Sequence, residues 1–313
     1  MLRVPMIFPG QASQAVGMAA DLASGIGPAA RFLAEVDGIL DHGLTGLMYE
    51  GPVDTLTETW NAQPAILAHS TAVVLELREM GVEPSVVAGH SLGEFSAAVA
   101  AGVLTPADGL SLVRIRGELM FAAGEECPGT MAAVMGLGEA EVAEVCARVA
   151  ADHGVVVLAN HNSSNQIAIS GEIAAVDAAC EALKAAGARR AMRLNVSGAF
   201  HSPLLDGAAA RFSEHLDGVT FADASCPLIG NVSAVPAMSG AELREGARAQ
   251  LTSAVRWHEI IGGIVAGTPR IVLEVGPGRV LSNMAKREFP DVEFVPVGTR
   301  EDLDNVLDKL AQD

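Results

Sequence analysis

The chain has 313 residues, with 20 Lys and Arg against 38 Asp and Glu, a formal net charge of −18. Half of it is apolar but only 4% is aromatic, so the core must be built mainly from Ala, Val, Leu and Ile, in one large or two smaller self-folding domains. So acidic a chain lacks the clustered Lys and Arg that nucleic-acid phosphates require, and so apolar a chain is not disordered.

No stretch reads as a membrane span. The longest uncharged one, between Asp223 and Glu242, carries two prolines, an asparagine and several serines. The few apolar residues ahead of Pro9-Gly10 are too short for a signal peptide, so a cytoplasmic protein is expected. Cys127, Cys146, Cys180 and Cys226 form no Cys-x-x-Cys pair, which suggests reduced, buried thiols and no metal site.

Strand and helix patterns alternate along the chain, predicting an α/β protein. Residues 4–8 read as a buried strand. Phe32, Leu33, Val36, Ile39 and Leu40 recur at helical spacing, as do Ile66, Leu67, Val73, Val74 and Leu77 behind Pro64, which reads as a helix start. A strand over 84–88 leads into Gly89-His90-Ser91-Leu92-Gly93 and an Ala-rich helix over 94–101. Thr105-Pro106 opens the next helix, to about residue 123, with an N-cap and a proline in the first turn.

The middle of the chain has a different rhythm. A strand at 131–135, a helix face of Val142, Val145, Cys146 and Val149, and strands at 155–159 and 166–170 joined by a polar loop come first. A helix face of Ile173, Val176, Cys180 and Leu183 and an alternating strand of Met192, Leu194 and Val196 follow. That order, β-α-β-β-α-β, is ferredoxin-like. The expected organisation is a parallel-sheet large domain, residues 1–125 and 197–313, interrupted by a small inserted domain, 126–196. Helices from Pro203, Ala241 and Trp257, strands near Leu228 and at 270–275, and an amphipathic helix through Leu303, Val306, Leu307 and Leu310 complete the large part.

Gly89-His90-Ser91-Leu92-Gly93 fits the nucleophile elbow Gly-x-Ser-x-Gly, in which a sharp strand-to-helix turn lifts the serine hydroxyl. The alternative is a glycine-rich turn with an incidental serine. A hydroxyl nucleophile needs a base, and the chain has eight histidines. His90 adjoins the serine and should point away from it, while His42, His153 and His215 sit in polar contexts. His201 lies in an uncharged stretch between the insert's last strand and the helix from Pro203, where a cleft should form. It is the best candidate, against the alternative of a packed core histidine.

Together with Pro9-Gly10-Gln11-Ala12-Ser13-Gln14 and Gly198-Ala199-Phe200-His201-Ser202, the elbow resembles the malonyl-CoA:acyl carrier protein transacylases. Gln63-Pro64-Ala65, Arg116-Gly117, Asn160-His161-Asn162, Gln250-Leu251-Thr252-Ser253 and Gly276-Pro277-Gly278 match further blocks in the same order. The resemblance spans almost the whole chain and implies a hydrolase-like α/β core with a ferredoxin-like insert.

It also implies ping-pong chemistry. Ser91 attacks the thioester of malonyl-CoA, His201 takes its proton, CoA leaves, and the phosphopantetheine thiol of acyl carrier protein then removes the malonyl group. The backbone N–H groups of Gln11 and Leu92 form the implied oxyanion hole, the Gln250 carbonyl orients His201, and Gln63, Asn160 and Phe200 join the substrate site. Arg114 and Arg116 point about 200° apart on their helix, so only one faces the cleft, and the resemblance selects Arg116. Its planar fork suits the malonyl carboxylate, so acetyl-CoA is disfavoured. Phe200 resembles the malonyl-selective form and should crowd an α-methyl group.

Some positions depart from the family pattern. Ala12 stands where glycine is usual, Phe121 where glutamine is frequent, and Ala254 where proline is frequent. His161, Ser164 and Asn165 vary a usual Tyr, Pro and Gly. No permanently bound cofactor is expected; malonyl-CoA and acyl carrier protein are the implied substrates. Lys184, Arg189, Arg190 and Arg193 form the densest basic cluster and a candidate docking patch for the acidic carrier, the alternative being solvated surface charge. Competing functions are a discrete acyltransferase of a polyketide pathway, a serine thioesterase or esterase, and a non-catalytic carrier-binding subunit.

Overall fold

The computed structural model describes residues 1–311. Six strands, β1 (Leu2–Phe8), β2 (Val82–Gly89), β7 (Leu228–Ile229), β8 (Pro236–Ala237), β9 (Ile271–Val275) and β10 (Glu293–Val297), form one sheet in the order β10-β9-β1-β2-β7-β8. Its neighbours pair in parallel, except that β8 runs antiparallel to β7. Parallel strands are covered on both faces, so they read as continuous apolar runs: every residue of β9 is buried. Pro84 is tolerated in β2 because β7 pairs only with Val87 and Ala88, leaving the start of the strand with one neighbour.

A second, antiparallel sheet is built from β3 (Gly129–Met135), β4 (Val156–Ser163), β5 (Gln166–Glu172) and β6 (Arg190–Arg193), in the order β4-β5-β3-β6. The ferredoxin-like pattern gives this order, so the α/β class with a hydrolase-like parallel sheet and a ferredoxin-like unit holds. Helices Glu139–His153 and Ile173–Ala185 cover one face, packing Val142, Cys146, Val176 and Leu183 on Ala132, Val134 and Ile169. Met131, Ala159 and Ala168 belong instead to the core of the large sheet. Main-chain bonds across Val255, to the Ala159 carbonyl (2.8 Å) and from the His161 N–H (2.9 Å), tie β4 to the large part.

The structure corrects several sequence expectations. Pro64 does not start its helix: Thr59–Glu79 begins five residues earlier. An internal proline frees the carbonyl four residues back, and here Arg114 Nη1 donates to the Trp60 carbonyl at 3.2 Å. The alternation of Met192, Leu194 and Val196 does not face the small core; the strand ends at Arg193, and Ala191 is its buried residue. Most of the polar stretch expected as a loop, residues 160–165, is strand, because β4 runs on to Ser163. Cys127, at the end of helix Pro106–Glu126, is exposed, whereas the other three thiols are buried. Edge strand β10 and the short helices were not anticipated, each being too short to show a period.

Candidate active site

The elbow sits where β2 ends and helix Gly93–Ala100 begins. Ser91 has φ +50°, a left-handed conformation that costs an L-residue about 1–2 kcal/mol. The flanking glycines make it possible, since a Cβ on Gly89 would overlap the Gly93 carbonyl and one on Gly93 would overlap the Phe8 carbonyl. Two side chains then hold the turn: the Ser91 N–H donates to Asn231 Oδ1 at 2.7 Å, and Gln250 Nε2 donates to the Ser91 carbonyl at 2.9 Å.

His201, reached as the chain returns from the small sheet, is buried and also left-handed, at φ +58°. Its Nε2 lies 2.8 Å from Ser91 Oγ. Its Nδ1 faces the carbonyls of Gln250 at 3.0 Å and Ser253 at 3.2 Å. Carbonyls only accept, so Nδ1 carries the proton and Nε2 is left bare toward the serine hydroxyl. Burial, followed by the nearby Arg116 charge, pushes the imidazole down to about 3, against the two carbonyls that raise it. The ring is therefore neutral at physiological pH, as a base must be.

Arg116 is 1% exposed. Its Nη1 donates to Gln63 Oε1 (2.8 Å), and its Nη2 to Gln250 Oε1 (3.0 Å) and Ser91 Oγ (3.1 Å). Nε has no partner among the described residues. Burial lowers the guanidinium to about 10, with Glu94 opposing, so it stays charged at neutral pH. Arg114, on the opposite side of the helix, instead pairs with Glu118.

A cleft of about 240 Å³ opens over these groups, lined among others by Gln11, Leu92, Asn160, Leu194, Phe200 and His201. Among the described residues neither the Gln11 nor the Leu92 backbone N–H has a protein acceptor. Ala12 adopts φ +78°, the geometry a glycine would take freely, and its N–H is held by Gln14 Oε1 at 2.8 Å. Asn160 leaves its buried Oδ1 unpartnered at the cleft. Gln63 lies behind Arg116, off the cleft wall, with Nε2 on Met120 Sδ. His90 does not turn away; it lines the cleft, bonded to Asn162 Oδ1 at 2.8 Å and packed on Trp257.

The basic cluster lies on the small sheet and is partly neutralised, Lys184 by Glu181 and Arg193 by Asp177. Arg189 and Arg190 have no acidic partner among the described residues. No group of three or more His, Cys, Asp or Glu side chains there could hold a metal ion, and no helix is long and apolar enough to cross a membrane.

Sequence reasoning passed over Asn231 and Glu94. Asn231 follows β7, at the carboxyl end of a parallel strand next to β2, where ligand and catalytic loops gather; that position was the available signal. Burial raises the Glu94 carboxyl, opposed by hydrogen bonds from Asn231 and Gln250 and by the Arg116 charge.

A strained serine, a neutral histidine and two free N–H groups at one cleft define an acyl-transfer site on an α/β fold. Residues 6–312 match the family model for the acyl transferase domain, and the chain belongs to that family. It is 39% identical over 313 residues to the malonyl CoA-acyl carrier protein transacylase of Bacillus subtilis, covering 100% of this chain and 99% of that one. The acyl-carrier-protein-S-malonyltransferase of Bartonella henselae superposes with a TM-score of 0.94 at 40% identity, covering 99% of both chains. A type II PKS acyl-carrier protein in complex with its malonyl-transacylase gives a TM-score of 0.93 at 38% identity, covering 98% of this chain and 99% of that one.

Proposed function

We propose that the chain transfers the malonyl group of malonyl-CoA to the phosphopantetheine thiol of acyl carrier protein, through a malonyl ester on Ser91. The observation that carries this reading is the convergence of His201 and Arg116 on one atom, Ser91 Oγ. His201 Nε2 accepts the hydroxyl proton as Oγ attacks the thioester carbonyl. The oxyanion forms against the N–H groups of Gln11 and Leu92, and the proton passes to the departing CoA thiolate. The carrier thiol reverses these steps, returning the proton to Ser91.

Arg116 binds the malonyl carboxylate, held ready by Gln63 and Gln250. Asn160 Oδ1 offers an acceptor for an amide N–H of the pantetheine arm, and Phe200 bounds the acyl pocket. Arg189 and Arg190, free of acidic partners, steer the acidic carrier, with Lys184 and Arg193 contributing less. The product is the extender unit of fatty-acid synthesis, and three buried unpaired thiols favour a reducing, cytoplasmic setting. The two sheets suit a division into a body of 1–125 and 197–313 and an insert of 126–196.

Mass spectrometry of protein quenched with malonyl-CoA alone should find the malonyl adduct on the peptide holding Ser91, discharged on adding holo-carrier. Turnover without that adduct overturns the reading. Free malonate as the main product identifies a thioesterase instead.

A further inference from the structure

The two peptide groups that flank Ser91 are held from outside the elbow, by Asn231 and Gln250. Both clamps lead back to one atom. The Asn231 N–H donates to Glu94 Oε2 at 2.8 Å, and Gln250 Nε2 donates to the same oxygen at 3.0 Å. Asn231 closes its own loop through Nδ2 on the Gly89 carbonyl (2.6 Å), and Gln250 Oε1 receives Arg116. Glu94 is 6% exposed, lies on the first turn of the elbow helix, and has no ion-pair partner among the described residues.

We propose that Glu94 is a positioning residue for acyl transfer: its Oε2 fixes Asn231 and Gln250 together, and through them the Ser91 peptide and the Arg116 guanidinium. For the roles of Ser91 and Arg116 this rests on the function proposed above. The left-handed Ser91 does not hold itself; the backbone relaxes unless its surroundings over-determine it. One acceptor serving both clamps couples the nucleophile's aim to the direction of the guanidinium, so the two cannot drift independently. The requirement is an oxygen at that point more than a charge. A glutamine carbonyl there accepts both bonds, whereas an aspartate ends one methylene short and leaves two buried donors unpaired.

The test uses the full chain and two readouts: the rate of Ser91 labelling by a fluorophosphonate, which needs no malonyl recognition, and the single-turnover rate of acylation by malonyl-CoA. Per folded molecule, Glu94→Gln should slow labelling about threefold and Glu94→Asp about 30-fold, as loss of two buried hydrogen bonds implies. A purely structural role lowers the melting temperature of both variants but leaves the rates per folded molecule equal. Glu94→Asp labelling as fast as Glu94→Gln overturns the proposal. So does a folded Glu94→Gln slowed 30-fold or more, which makes charge the requirement; this arm stands even if Glu94→Asp does not fold. Wild-type protein that labels with the fluorophosphonate but takes no malonyl from CoA defeats the functional reading instead, while the order of the two variants still decides the role of Glu94.

Discussion

The floor and one wall of the cleft are made in opposite ways. The floor, at the carboxyl ends of β1, β2 and β7, is a connected polar network in which the part-buried Ser91 and the buried His201, Arg116, Gln250, Asn231 and Glu94 are bonded to one another. On the wall contributed by the small sheet, Leu194 lines the cleft while 38% exposed, and nearby Met192 is 43% exposed. Buried polar networks hold one arrangement because each broken bond strands a desolvated partner, whereas an exposed apolar surface adapts at little cost. On the function proposed above, chemistry is placed on the rigid side, and contact with two large, different thiol carriers would fall to the adaptable one.

The largest expected effect comes from breaking the floor. Arg116→Gln removes the charged double donor proposed above to bind the malonyl carboxylate, so kcat/KM for malonyl-CoA should fall by about 10²-fold or more. The rate with acetyl-CoA, measured in the same acylation assay, should change by less than about tenfold. Equal losses for both donors would show that Arg116 serves the floor's structure and not the substrate.

An intermediate effect concerns pH. His201 has a folded value of about 3 against an ordinary 6.5, so the unfolded chain binds the proton first as pH falls. The stability this neutral ring confers is complete above about 6.5 and is lost progressively as pH falls toward about 3. Urea midpoints at pH 7 and pH 5 should therefore drop more for the wild type than for His201→Gln. The acylation rate per folded molecule should not titrate near 6.5; a midpoint there would mean a solvated base and an open floor.

The smallest effect tests the small sheet. Arg189→Glu with Arg190→Glu should raise KM for the carrier several-fold, mainly at low salt, and leave acylation by malonyl-CoA nearly unchanged. No change in KM or in its salt dependence would remove the basic patch from docking.

The α/β class and the order of the small sheet were legible because each rests on local periodicity, as in the Val142, Val145, Cys146 and Val149 face. What escaped rests on distant partners. Pro64 reads as a helix start until Arg114, far along the chain, satisfies the carbonyl it frees. The Met192, Leu194 and Val196 alternation reads as one strand, but pairing stops at Arg193 and the next three residues run along the cleft, which no local pattern announces. At the site, Ser91, His201 and Arg116 sit in recognisable sequence blocks. Asn231 reaches the elbow across 140 positions, and Glu94, beside the elbow in sequence, meets Gln250 only across 156 positions, so the fold and not the local pattern reveals both contacts.

The Arg116 guanidinium donates to the serine oxygen itself. On the function proposed above, the cation that would meet the acid of the substrate also touches the alcohol that must react. Selectivity would then begin before any bond changes, with two oxygens sharing one arginine.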